Sequence, residues 1–247
     1  MTADPGATTD PALALRRRKL GRESWGFAIG SVCFFIGALP WYVAMTSAVF
    51  ANATFAIGAV FFTLAAGIQL ALTGRRFPYR GMTPADVLDW WSAAVQFVGT
   101  LFFNLSTIQA LSWAIRDPDT VGAGWRPDAW GSICFLVSSG LALGAVSRRH
   151  ELWDIRARTP LATWLNMAGS VLFGISAIGA YVIPGSDEIV SLFWTNLGTA
   201  LGALGFFLAA VITRPGATRG GAPRSPERSS GRRASSSDGS GAPHHPA

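Results

Sequence analysis

Gly30-Ser31-Val32-Cys33-Phe34-Phe35-Ile36-Gly37-Ala38 decides the fold, because its pattern recurs along the chain. The pattern is Gly, a small residue, an aliphatic, any residue and Phe, with two small residues following. It returns as Gly58-Ala59-Val60-Phe61-Phe62, Gly99-Thr100-Leu101-Phe102-Phe103, Gly131-Ser132-Ile133-Cys134-Phe135, Gly169-Ser170-Val171-Leu172-Phe173 and Gly202-Ala203-Leu204-Gly205-Phe206. The trailing small pairs after the first are Ala65-Ala66, Ser106-Thr107, Ser138-Ser139, Ser176-Ala177 and Ala209-Ala210. In a helix these positions share one stripe, alternating Gly, Phe and a small residue. Lipid tails give no hydrophobic drive to helix pairing, so close approach through small residues must supply it. Gly30, Gly58, Gly99, Gly131, Gly169 and Gly202 are therefore read as helix-packing glycines, each beside a groove filled by Phe. Gly140 and Gly144, and Gly198 and Gly202, add two G-x-x-x-G pairs.

Each copy lies inside its own uncharged stretch: 25–45, 53–72, 90–115, 129–147, 161–183 and 189–213. A helix of ~20 residues crosses a hydrocarbon core of ~30 Å, so every stretch is long enough. Mean hydropathy is +0.34, and half of the 247 residues are apolar. Both values suit an all-α membrane protein better than a soluble one.

All but Arg116 and Arg126 of the 20 Lys and Arg fall before the first stretch, in the second and fourth connections, or in the tail. The positive-inside rule then puts both termini in the cytoplasm. The net charge of +6 is an orientation signal, and no nucleic-acid partner is needed to explain it. Outward connections are short or acidic (46–52, 116–128 and 184–188), and inward ones are longer and basic. The alternation predicts three copies of a two-helix hairpin. Residues 1–24 read as a flexible basic segment, 25–213 as the membrane domain, and 214–247 as a disordered cytoplasmic tail, poor in apolar residues.

Trp25, Trp90, Trp91, Trp153 and Trp164 are expected near the inner boundary. Trp41, Tyr42, Trp113, Trp125, Trp130, Tyr181 and Trp194 are expected near the outer one, as interfacial belts. Pro40 predicts a kink late in the first span. Ala51-Asn52-Ala53 resembles a signal-peptidase site, but the preceding span is too long for a signal h-region and is retained. Asn52-Ala53-Thr54 spells a glycosylation sequon, too close to the membrane for easy use. Arg232-Arg233-Ala234-Ser235 and His244-His245 read as chance features of a biased tail.

No Asp, Glu, Lys, Arg or His lies inside the six stretches. That weighs against ion-coupled carriers and pumps, and leaves no acid–base pair or metal cluster there. No cofactor and no enzymatic activity are expected. Cys33 and Cys134 read as buried, unpaired thiols. The candidate polar residues are the amides Gln96, Asn104, Asn166 and Asn196, with Gln69 off-centre. Gln96 and Asn166 each precede a pattern glycine by three residues and share a depth. Such amides either bond helix to helix, or line a path for a neutral solute.

The first hairpin, through Ile29 to Ala38 and Phe55 to Phe62, resembles the YrhK-like family of small bacterial membrane proteins. The resemblance covers about a fifth of the chain and implies a bacterial inner-membrane protein. It brings no catalytic or binding residues. The expected role is a non-catalytic membrane component that associates with lipids, with itself as a homo-oligomer, or with another membrane protein. The alternative is a channel or facilitator for a neutral or weakly polar solute.

Overall fold

A computed structural model describes residues 10–74, 77–116, 126–183 and 188–215. Its helices are α1 (Pro11–Gly37), α2 (Pro40–Met45), α3 (Ala48–Leu72), α4 (Pro84–Arg116), α5 (Pro127–Arg148), α6 (Arg158–Gly179) and α7 (Leu192–Thr213). The five helices α3 to α7 are each long and apolar enough to cross a membrane.

The first expected span is not a single helix. The Asp10 carboxylate caps α1 by accepting from the Ala12 N–H at 3.0 Å. Helix therefore starts at Pro11, so the segment expected to be flexible to residue 24 is helical from there on. Arg16, Arg17, Arg18, Lys19, Arg22 and Glu23 occupy the first half of α1. The apolar remainder, from Ser24 to Gly37, is only ~21 Å long at ~1.5 Å per residue. At Leu39 the backbone becomes extended, and Pro40 opens α2 at a position where its missing N–H costs nothing. The expected kink is thus a full break. Thr46 and Ser47 alone join α2 to α3, because Ser47 caps α3 and the helix begins at Ala48, five residues before its expected start.

The α6–α7 connection also departs from expectation. Helix α6 ends at Gly179, and residues expected to be helical instead form an antiparallel bridge between Val182 and Ile189. Val190 N–H donates to Tyr181 O and Ser191 N–H to Gly179 O, both at 2.9 Å. At the other end, α4 begins six residues early. The Thr83 hydroxyl accepts from the Asp86 N–H at 3.2 Å, and Arg149 ties Asp86 and Asp89 to the end of α5.

The helices form a closed ring in the order α1, α3, α4, α5, α6, α7 and back to α1. Three antiparallel pairs, α1–α3, α4–α5 and α6–α7, have the most extensive interfaces. The seams between pairs are α3–α4, α5–α6 and α7–α1.

The pattern positions divide the labour of this ring. The third, aliphatic residue faces outward in every copy. Val32, Val60, Leu101, Ile133, Val171 and Leu204 are 40–49% exposed, as a lipid-facing surface requires. The second, small residue is buried in every copy: Ser31, Ala59, Thr100, Ser132, Ser170 and Ala203. The glycine and the Phe meet inside the pair. A Cβ on Gly131 would lie 2.7 Å from the Phe103 ring, and one on Gly99 would lie 2.8 Å from the Phe135 ring. Gly30 and Phe62, Gly58 and Phe34, Gly169 and Phe206, and Gly202 and Phe173 make the same exchange. Every pattern glycine thus seats the Phe of its hairpin partner. Cys33 and Cys134 are unpaired thiols whose Cβ atoms pack over Gly58 and Gly99.

Of the aromatic residues expected in belts, Tyr42 and Trp164 are half-buried. Trp41, Trp113, Trp130, Tyr181 and Trp194 are exposed at one end, and Trp25, Trp91 and Trp153 at the other. Trp90 is instead buried, its ring 5.0 Å from those of Phe77 and Trp91. Trp125, like the tail residues Arg232, Arg233, His244 and His245, lies outside the described residues.

Candidate functional site

The six pattern Phe residues come from six helices and meet on the bundle axis, each only 3–6% exposed. Phe34, Phe103 and Phe173 form a near-equilateral triangle with ring centroids 5.9, 5.6 and 5.8 Å apart. Phe62, Phe135 and Phe206 form a second, with separations of 6.5, 5.6 and 6.1 Å. Hairpin partners link the triangles at 5.4, 5.0 and 5.5 Å. These are favourable aromatic spacings, mostly edge to face. The result is an apolar septum two rings deep.

A polar chamber lies on each side of the septum. The first, of about 160 Å³, has Phe34, Phe103 and Phe173 as its floor. Asn52, Ser106, Thr107, Ser132, Ser176, Thr195, Asn196 and Thr199 form its walls, with Arg126 and Asp128 at the mouth. Most of its hydroxyls are already bonded. Ser176 Oγ lies 2.7 Å from Thr199 Oγ1 and donates to Thr195 O at 2.7 Å, and Ser132 Oγ donates to Phe173 O at 3.3 Å. Arg126 Nε is 3.5 Å from Asp128 Oδ1.

The second chamber, of about 370 Å³, opens at the end that carries the basic residues of α1, α5 and α6. Phe27 and Phe206 line its floor, and Glu23, Gln69, Gln96, Asn166, Arg158 and Thr213 its walls. Gln96 Oε1 accepts from Ser138 Oγ at 3.3 Å, whereas the buried Gln69 Oε1 has no partner. Glu23 precedes the apolar part of α1. Burial pushes its carboxyl up to about 7 from an ordinary 4.5, because the charged form loses hydration.

Of the four candidate amides, Gln96 and Asn166 share this basic-end chamber, and Asn196 lines the opposite one. Asn104 lines neither. Its Nδ2 donates to Ala59 O at 3.1 Å, to Thr100 O at 2.9 Å and to Thr63 Oγ1, pinning α4 to α3. Asn52, read first as part of a sequon, turns into the bundle and donates to Ala48 O at 2.9 Å. Glu23, Asp128 and Thr199 were missed. The signal for Asp128 and Thr199 was register: three residues before a pattern glycine lie Gln96, Asn166 and Phe27 in one chamber, and Phe55, Asp128 and Thr199 in the other. Six residues before lie Asn52 and Asn196. Among the described residues, no group of three or more His, Cys, Asp or Glu is placed to hold a metal.

Comparison with protein-family models, with curated proteins and with solved structures returned no match. The functional reading therefore rests on this geometry alone.

Proposed function

We propose that this is a six-span bacterial inner-membrane protein, with both termini cytoplasmic, that passes a small polar solute along the bundle axis through the phenylalanine septum. In this reading the apolar part of α1, from Ser24, and α2 together make the sixth span, the basic end faces the cytoplasm, and the three hairpins are products of duplication related to the YrhK-like unit. The observation that carries the proposal is two amide- and hydroxyl-lined chambers on opposite faces of one septum. Polar side chains at membrane depth are expensive, and they concentrate where a solute or water is handled. The stripe that first suggested association with partners is used up inside the bundle, where each glycine holds a Phe of the same chain.

Proteoliposomes provide the test, read by stopped-flow light scattering with glycerol and urea. Protein-loaded vesicles should equilibrate these solutes faster than empty ones. Phe103→Ala, which removes one ring from the septum, should speed them further, and Phe103→Leu keeps the measurement available should the alanine variant unfold. Flux equal to empty vesicles for all three proteins would discard the passage reading. Single cysteines at Asn166 and Asn196, with Cys33 and Cys134 replaced, test the orientation. An impermeant thiol reagent should reach position 166 only from the cytoplasmic side and position 196 only from the other.

A second reading, a non-catalytic membrane component, is favoured by a lipid-facing apolar groove of about 610 Å³. It runs between α5 and α6, past Ile133, Leu136, Val171, Gly174 and Ile178. This seam has the least extensive interface of the ring, leaving room for an acyl chain or a partner helix.

A further inference from the structure

The basic-end chamber combines features that together specify a ligand. Glu23 makes neither an ion pair nor a hydrogen bond among the described residues, although burial strips much of its water. Gln69 Oε1 is buried with no donor to meet it. The Thr213 hydroxyl spends its proton on Ala209 O and Ala210 O, at 3.0 and 3.2 Å, so it offers the chamber only lone pairs. Phe27 and Phe206 line the floor. An unpaired carboxylate, surplus oxygen acceptors and phenyl rings are the surroundings that attract a cation bearing N–H groups. An anion would need a free cation in the wall. Arg158, the one positive side chain there, already has a partner of its own.

We propose that this chamber binds a small organic cation with several N–H donors, of the alkylammonium or alkylguanidinium class. Glu23 supplies the countercharge, Gln69 Oε1 accepts a hydrogen bond, and Phe27 and Phe206 contact the cation. The site names the solute class for the passage reading and rests on that reading only for the solute's onward movement. Binding alone requires just the chamber.

A pH dependence follows. On α1 itself Lys19 and Arg22 lie within about one turn of Glu23, Arg158 shares the chamber from α6, and Arg214 after α7 stacks 4.4 Å from the Trp25 ring centroid; burial is what raises the Glu23 carboxyl. The cation binds the ionised form, so affinity should fall about tenfold per pH unit below about 7.

Isothermal titration of the full chain in detergent micelles tests this, with methylguanidinium and methylammonium as probes. Both should bind at pH 8 and bind at least tenfold more weakly at pH 5.5. Tetramethylammonium, which has no N–H, and acetamide, which has no charge, should bind at least tenfold more weakly at pH 8. Glu23→Gln should abolish the pH dependence and most of the affinity, and Gln69→Leu should weaken binding severalfold at unchanged thermal stability. Absence of binding by either N–H cation, or unchanged binding in Glu23→Gln, would overturn the site. Equal binding of tetramethylammonium would overturn the hydrogen-bonding part. Cation binding without vesicle flux of glycerol, urea or methylguanidinium would remove the passage reading and leave the site. Glycerol or urea flux without cation binding would do the reverse.

Discussion

At the scale of single residues, the exchange between glycine and Phe is the most exacting feature. A Cβ on Gly131 meets the Phe103 ring at 2.7 Å and Gly99 O at 3.1 Å, so a ring and a backbone would both have to move. Gly131→Val should cost ~1–3 kcal/mol as overpacking, seen as a lower thermal unfolding temperature in detergent. Gly140→Ala, whose nearest neighbour is a flexible Met167 methyl at 4.0 Å, should leave that temperature unchanged or raise it. The glycines were legible in the sequence because their spacing repeats. Their partners were not, since one stripe cannot say which neighbour's Phe it seats. Glu23 was invisible for another reason: it sits among arginines that read as solvated, and only the fold turns it inward. Its folded-state carboxyl titrates near 7 against an ordinary 4.5. The folded protein therefore holds the proton more tightly, and Glu23 costs stability progressively as pH rises from about 4.5 through 7. Glu23→Gln should match the native protein's unfolding temperature at pH 4.5 and exceed it at pH 8, as differential scanning fluorimetry would show.

Among elements, polar contacts lie both within the hairpins, as Ser92 with Ser138 and Ser176 with Thr199, and across two of the seams between them. The α3–α4 seam is held by the Asn104 Nδ2 contacts to Ala59 O and Thr63 Oγ1, and the α5–α6 seam by Ser139 and Ser170, whose Oγ atoms are 2.8 Å apart. Asn104→Leu should cost ~0.6 kcal/mol, and at most ~1.7, in equilibrium unfolding, with no change in solute flux or cation binding. A larger loss of flux would place Asn104 on the path after all. The four candidate amides looked alike in the sequence because depth is readable from position along a helix, whereas direction depends on helix order. The start of α5 was legible to within two residues, where Pro127 announces it, whereas the Ser47 cap of α3 was not, since it precedes the uncharged stretch 53–72. Nor were the helix ends between α6 and α7, where apolar residues fit a bridge as well as a helix.

For the molecule as a whole, the third pattern position resolves what hydropathy alone left open. Composition indicated membrane helices, and the repeat indicated packing. Their closure into a ring requires the aliphatic position to face out in every copy while Gly and Phe face in. A linear array would leave two terminal stripes bare, whereas here α7 returns to α1 and none is left over. Function was the least legible level, because the chambers are built from residues that are ordinary singly and become a site only when several helices bring them together.

The glycine–phenylalanine exchange is completed within each hairpin, and this bears on how such a molecule arises. A two-helix peptide already contains both halves of its lock, so it needs only neighbours, not a particular chain, on either flank. Three separate hairpins carrying this lock would assemble a septum of the same kind. Severing the present chain in the loop around Gly81 should likewise yield two fragments that find each other in the membrane.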